Sequence, residues 1–290
     1  ASFVYKPTKG ISQTDYIDEL GDELNNFIIS KHYFKEDISG IGVGCPGAIN
    51  SKTGICDYSN NLDWHFLPVV KMLEVKTGLK CKITNDANAA TLGEARFGSG
   101  KSLHNIVLLT IGTGIGGGLY INDQLYEGNE GKGAELGHVK LVYDGEQCTC
   151  GMKGCIEAYC SCTALIRETK RTMSQNPDSK LWDLVKGDIN NVDGKTAWDA
   201  EALGDKAAHE VIEQYLIYLS EAILDYCNIF RPDAIILAGA PVNQGDNLLT
   251  RVRDYVKKWN YGFNMTPPVE VKISSLGSNA GMIGAACLVM

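Results

Sequence analysis

An α/β fold is predicted for this chain by three observations. Apolar runs of strand length stand at residues 106–111 and 234–238, long amphipathic stretches alternate with them, and the junctions lean on glycine, with 32 Gly against 8 Pro. At 290 residues the chain has room for one large or two ordinary domains.

Taken in order, residues 1–6 read as the end of a strand. Ser12 is placed to cap a helix running to about residue 30: Asp15 stands three later, and Tyr16, Leu20, Leu24, Phe27 and Ile28 form one apolar stripe. A strand over 38–44 opens into a turn at Cys45-Pro46-Gly47-Ala48. A helix is expected over 67–77, stopped by Gly78, and then a buried strand over 79–84. That strand delivers Asn85-Asp86-Ala87-Asn88-Ala89-Ala90 to the start of another helix. The strand over 106–111 runs into Gly112-Thr113-Gly114-Ile115-Gly116-Gly117-Gly118 and returns over 119–121. Helices follow near 162–172, in shorter pieces through 182–202, and from 205 to about 229. In the last, Val211, Ile212, Tyr215, Leu216, Leu219, Ile223 and Cys227 recur at helical spacing, a core stripe rather than a cofactor contact. A strand over 234–238, a helix over 247–258, a strand over 269–273 and a small-residue helix over 279–289 close the chain.

Composition excludes several classes of function. A formal charge of −8 argues against a general nucleic-acid surface, which needs basic side chains to displace counterions from phosphates. No apolar run reaches the length of a membrane span, and the first residues lack the pattern of a secretory signal. Of the ten cysteines, Cys45, Cys56, Cys81, Cys227 and Cys287 are scattered through apolar contexts, so a reducing, cytoplasmic setting is expected.

The densest chemistry lies in Glu135-Leu136-Gly137-His138 and Cys148-Thr149-Cys150-Gly151-Met152-Lys153-Gly154-Cys155-Ile156-Glu157. His138, Cys148, Cys150 and Cys155 make a Cys₃His set, which fills the tetrahedral shell of Zn²⁺ and leaves no position for water. Such a site holds structure; the bland alternative is three buried thiols and a core histidine. Glu135 and Glu157 flank the ligands closely, so a bound ion fixes two carboxylates and an imidazole relative to one another. That combination suits a polyhydroxy ligand, although the same glutamates could equally neutralise surface lysines.

Gly112, Gly114 and Gly117 match G-x-G-x-x-G formally, but a strand rather than a helix follows, so no dinucleotide fold is read here. Glycines between two strands form either an ordinary hairpin or one whose N–H groups and Thr113 hydroxyl face phosphate oxygens. Asp86 begins a helix, where the dipole favours its charge. It is either a plain N-cap or a base that takes a proton from a hydroxyl.

Together these motifs resemble the ROK family: the repressors, open-reading-frame products and sugar kinases of the two-lobed, actin-like ATPase (ribonuclease H-like) fold. The resemblance runs from about Gly40 to the C-terminus and is most specific in Glu135-x-x-His138 with Cys148-x-Cys150-Gly-x-x-Gly-Cys155-x-Glu157. Asn85-Asp86-Ala-Asn-Ala and Gly112-Thr113-Gly114 reinforce it. It implies a smaller lobe of residues 1–85 plus about 277–290 and a larger lobe of 86–276, with a cleft between them and a structural zinc loop. The implied activity is ATP-dependent phosphorylation of a hexose hydroxyl, most directly C6 of glucose, with Mg²⁺ on the nucleotide and Asp86 as general base. Gly47, Asn61, Asn85, Glu135, His138 and Glu157 would hold the sugar. Gly112, Thr113, Gly114 and Gly116 would carry the phosphates, and Gly239 and Ala240 would lie near the adenosine. A homodimer or homotetramer is implied; the charge and the lack of a long apolar run, read above, argue for no nucleic-acid and no membrane partner. The resemblance also admits a sugar-sensing repressor domain, or a kinase for another sugar such as N-acetylmannosamine or fructose. Two departures stand out: the family's Asp-x-Gly-Gly-Thr phosphate strand has no counterpart, as though the sequence began one hairpin late, and Ala238 and Ala240 replace usual glycines.

Overall fold

The computed structural model describes residues 8–262 and 265–290; the strand end expected over residues 1–6 lies outside them. Along the chain run α1 (Gln13–Ser30), β1 (Ile41–Cys45), β2 (Ala48–Asn50), β3 (Ile55–Ser59), β4 (Trp64–Leu67), α2 (Val69–Thr77), β5 (Cys81–Asn85) and α3 (Asp86–Phe97). Next come β6 (Ile106–Ile111), β7 (Ile115–Ile121), β8 (Gln124–Tyr126), α4 (Glu157–Cys160), α5 (Cys162–Gln175), α6 (Leu181–Leu184) and α7 (Thr196–Ala202). Last are α8 (Lys206–Phe230), β9 (Ala234–Gly239), α9 (Asp246–Trp259), β10 (Glu270–Ile273) and α10 (Ala280–Cys287). The α/β expectation is met, with mixed sheets.

The chain divides into two compact units. Among the described residues, the first comprises 8–102, Gly118–Ala134 and Ser278–Met290; the second comprises Leu103–Gly117 and 135–277. The first unit therefore keeps α3, and with it Asp86, whereas the resemblance implied a boundary at 85/86.

In the first unit β1 and β5 pair in parallel, and β2, β3 and β4 form a separate antiparallel sheet. Ser12 caps α1 as expected, its Oγ accepting the Asp15 N–H at 3.1 Å. The helix expected from residue 67 starts later, because Leu67 closes β4 and Pro68 occupies the N-cap. It ends where expected, at Gly78, with φ 69°. Ile17, Cys45, Ile49, Cys56, Trp64, Leu67, Leu73 and Ile83 form the core beneath the sheets. Helices α3 and α10 pack at backbone distance. A Cβ on Gly284 would overlap the Ala89 carbonyl, and one on Gly93 would overlap that of Ala280. Small residues in this pair are thus a packing requirement.

The second unit holds β10, β9 and β6, neighbours in that order, and the start of β7, along which the chain passes into the first unit. Strands β10, β9 and β6 run parallel. Leu108, Leu109, Ile235, Ile236 and Leu237 are fully buried, as strands covered on both faces require. The 25-residue α8 buries Val211, Ile212, Tyr215, Leu216, Leu219, Ile223 and Cys227, the stripe read from the sequence.

Asp205 starts α8. Its Oδ1 accepts the Ala208 N–H at 2.8 Å, and its Oδ2 accepts the Lys180 N–H at 2.7 Å and the Ser179 hydroxyl at 2.9 Å. Burial alone pushes this carboxyl up, but those donors outweigh it and hold it below the usual carboxylate range. A depressed folded pKa stabilises above the unfolded value and loses that contribution as pH falls through the folded one. Asp205→Ala is therefore expected to cost about 1–2 kcal/mol in urea unfolding at neutral pH. The gap between wild type and variant should narrow below about pH 4.

Candidate functional site

The first unit presents Asn85 and Asp86 where β5 becomes α3. Asn85 stands opposite Cys45 in the parallel ladder, and its Oδ1 accepts the N–H groups of Ala87 at 2.8 Å and Asn88 at 3.4 Å. Asn85 is thus the N-cap. Asp86 is the first helical residue, exposed, with its Oδ1 at 3.0 Å from the Ala87 nitrogen. The capping alternative for Asp86 is answered by its neighbour.

Asn85 also reaches across: its Nδ2 donates to the Gly47 carbonyl at 3.1 Å. Gly47 has φ 115°, and a Cβ there would overlap the Tyr58 carbonyl, so only glycine lets this turn lie against β3. Asn61 is exposed in the turn that follows β3.

In the second unit the registers of β6 and β9 set Ile111 opposite Gly239. The turn at residues 112–114 and the pair Gly239–Ala240 accordingly share the carboxyl edge of the sheet, the edge at which open α/β sheets take ligands. The turn is short, because β7 already begins at Ile115 and Gly116 lies within that strand. Two of its carbonyls are tied to the start of α5: Gly112 O accepts the Cys162 N–H at 2.9 Å, and Thr113 O accepts the Thr163 hydroxyl at 2.7 Å. Thr163 was not singled out in the sequence; a threonine at a helix start carries no signal of its own.

His138 ends a 3₁₀ turn, Leu136–His138, that lies against the start of β7, since a Cβ on Gly137 would overlap the Ile115 carbonyl. The Tyr226 hydroxyl holds the Leu136 carbonyl at 2.6 Å. The cysteine loop is closed by backbone bonds: Cys148 N–H to Met152 O at 2.8 Å, Gly154 N–H to Glu146 O at 2.8 Å, and Ile156 N–H to Val139 O at 2.9 Å.

These bonds gather four ligand atoms. Single ligating atoms from His138, Cys148, Cys150 and Cys155 all lie within 4.8 Å of one another. Cys148 Sγ is 3.7 Å from His138 Nδ1, and Cys150 Sγ is 3.7 Å from Cys155 Sγ. Bonds of ~2.3 Å to sulfur and ~2.0 Å to nitrogen at tetrahedral angles set ligand atoms ~3.5–3.8 Å apart, so the donor set fits a zinc ion in size and chemistry.

Glu157 ties this loop to the glycine turn. Its Oε2 accepts the Ile115 N–H at 2.9 Å, and its Oε1 accepts the Thr149 hydroxyl at 2.6 Å and lies 3.4 Å from Cys148 Sγ. A Cβ on Gly114 would overlap Oε2, so that glycine is required by the carboxylate. Glu135 is exposed one residue before the 3₁₀ turn, and its carbonyl accepts the His138 N–H at 3.0 Å. Thr149, given no role in the sequence motif, is placed by its position between Cys148 and Cys150.

The first unit thus offers a capped helix start bearing a carboxylate, and the second offers a glycine turn at a sheet edge and a thiol–imidazole cluster. The ROK family model matches residues 3–290. This chain belongs to the ROK family. Among its relatives, the glucokinase of Streptomyces coelicolor is 35% identical over 254 residues, covering 87% of this chain and 80% of that one. The xylose repressor of Bacillus subtilis is 30% identical over 273 residues, 94% of this chain and 66% of that one. Among solved structures, a ROK family glucokinase from Streptomyces griseus, in complex with glucose and AMPPNP, superposes with a TM-score of 0.79 at 32% identity. That match covers 93% of this chain and 87% of the other. ROK members similar to this chain thus include proteins named glucokinase and xylose repressor.

Proposed function

We propose that this chain is an ATP-dependent hexose kinase, with the C6 hydroxyl of glucose as its most direct acceptor. The observation that carries this reading is the helix start at Asn85–Asp86. Asn85 does the capping and is tied to Gly47, which leaves an exposed carboxylate next to it. The similarity to glucokinases, one of them crystallised with glucose and AMPPNP, supports the same assignment.

In this reading Asp86 takes the proton of the acceptor hydroxyl, and that oxygen attacks the γ-phosphorus of ATP, releasing ADP. Gly47, Asn61, Asn85, Glu135, His138 and Glu157 hold the sugar. His138 turns Nδ1 toward Cys148, so Nε2 is the atom left for a hydroxyl. Glu157 already accepts from Ile115 and Thr149, but a carboxylate offers about four lone-pair sites and can take a sugar hydroxyl as well. Gly112, Thr113, Gly114 and Gly116 serve the phosphates, and Gly239 and Ala240 the adenosine. Positioning and charge neutralisation supply most of the acceleration in phosphoryl transfer. Mg²⁺ neutralises phosphate charge when bound. Among the described residues the cluster of metal-ligating side chains is the Cys₃His set, so Mg²⁺ would come with ATP and keep several waters. Zn²⁺ in the Cys₃His set would be structural.

The deciding experiment is a coupled ADP-release assay over a panel of hexoses, N-acetylmannosamine, fructose and xylose. Sugar-dependent ADP release strongest with glucose is expected; none with any sugar would reject the kinase. Gly114→Ala displaces Glu157 from the Ile115 N–H. It is expected to raise the KM for ATP at least about tenfold, the loss of one charge-assisted bond, in the same assay.

The similarity to a xylose repressor favours a second reading, a sugar-sensing domain without turnover. It predicts calorimetric binding of a sugar with no ADP release. A cytoplasmic setting fits ten free cysteines, and self-association as a homodimer or homotetramer completes the proposal. Among the described residues no helix is long and apolar enough to cross a membrane.

A further inference from the structure

We infer that Glu127 is a positioning residue for the sugar side of the site, an inference that rests on the kinase reading above. Glu127 follows β8 and is half-buried. Its Oε1 accepts the hydroxyl of Thr84, and its Oε2 accepts the hydroxyl of Ser51 at 2.9 Å. Thr84 is fully buried and immediately precedes Asn85. Ser51 immediately follows β2, whose first residue, Ala48, follows Gly47. One carboxylate therefore joins the strand that presents Asn85 and Asp86 to the strand that leaves Gly47, and the Asn85–Gly47 bond at 3.1 Å closes the same ring from the other side.

The segment bearing Glu127 is itself fastened to β2 and β3. Gly133 N–H returns to Glu127 O at 2.8 Å, Lys132 Nζ pairs with Asp57 at 2.8 Å, and a Cβ on Gly131 would overlap the Ile49 carbonyl. Packing alone would be served as well by an amide. Both oxygens of the Glu127 carboxylate accept, so both hydroxyls donate to it and their rotamers are fixed, whereas an amide offers only one accepting oxygen. The consequence for function is that Glu127 sets the distance between the Gly47 turn and the Asn85–Asp86 helix start, without touching the sugar.

The test uses the full chain and the variants Glu127→Ala and Glu127→Gln, with D-glucose and ATP as substrates. Glu127→Ala is expected to raise the KM for glucose about tenfold while leaving the KM for ATP within about twofold of wild type. Glu127→Gln keeps one acceptor and should fall between. Hydrogen exchange at the Ala87 and Asn88 amides, which Asn85 caps, should speed up in Glu127→Ala while α1 and α8 stay protected as in wild type. Equal changes in both KM values, or a variant whose thermal midpoint drops with both KM values unaltered, would assign Glu127 a merely structural role. The exchange measurement needs no turnover. If wild type phosphorylates nothing, the kinase reading fails, and unchanged exchange at Ala87 and Asn88 would independently overturn the coupling.

Discussion

Asp86→Asn is expected to lower kcat by about 10²–10⁴-fold, the usual contribution of a positioned general base. Calorimetric affinity for glucose should stay within severalfold of wild type. The split follows from the geometry. Asn85, not Asp86, carries the helix cap and the bond to Gly47, so the substitution leaves those contacts in place. Asn is nearly isosteric with Asp and can still accept the Ala87 N–H, which keeps the helix start intact. What it loses is the ability to take a proton. If kcat and affinity fall together, Asp86 is a binding residue rather than a base; if turnover is unchanged, its catalytic role is rejected. Asn85→Ala makes the converse test. Removing cap and tether should disturb sugar affinity and stability together, because both depend on one side chain.

Much of this geometry was legible in the sequence, and the exceptions have physical causes. Helix α1 and strand β6 fall where they are expected, α1 because Ser12 marks its start and its apolar stripe is long, β6 because its apolar run is unbroken and ends at Gly112. The sheet of β2, β3 and β4 was missed. Its strands span three, five and four residues, and β4 buries only its two ends, so no alternation of period two exists to be read. The unit boundary after Ser102 depends on α3 packing against α10, nearly two hundred positions along the chain, which no local signal encodes. The metal-type cluster was readable for the opposite reason: its four ligands lie within one short stretch, so spacing is geometry. Glu127 falls between these cases. Its partners, Thr84 and Ser51, are ordinary strand-end hydroxyls, and their meeting is a product of the folded unit alone.

Removing the proposed zinc is expected to produce the largest loss of structure, centred on the Cys₃His loop. Purified protein should carry one zinc per chain, and Cys155→Ser should abolish it. Treatment with a strong chelator should lower the thermal midpoint and reduce turnover by about 10–100-fold, the scale seen when groups that orient a site are lost. The magnitude is argued from competing free energies. Zinc in small peptides contributes roughly 10–16 kcal/mol, comparable to the whole stability of a domain at about 5–15 kcal/mol. The loop between Val139 and Ile156 is otherwise held by backbone bonds and by surface pairs such as Arg171 with Glu146 at 3.0 Å and Lys153 with Asp144 at 2.9 Å. Among its buried residues are Cys148 and Cys155, two of the proposed ligands, and the backbone bonds that close it join short irregular segments. Burial pushes the Cys148 thiol up to about 12, so without a cation this sulfur stays protonated. Metal binding must then expel protons, and apparent affinity should rise with pH through the neutral range. Through Glu157 the loss reaches the glycine turn, because the carboxylate that Cys148 and Thr149 approach is the one that receives the Ile115 N–H. The KM for ATP should therefore rise along with that for glucose on chelation, and zinc should restore both in wild type but not in Cys155→Ser. A metal-free protein that keeps its thermal midpoint and its turnover would show that hydrogen bonds alone hold the loop.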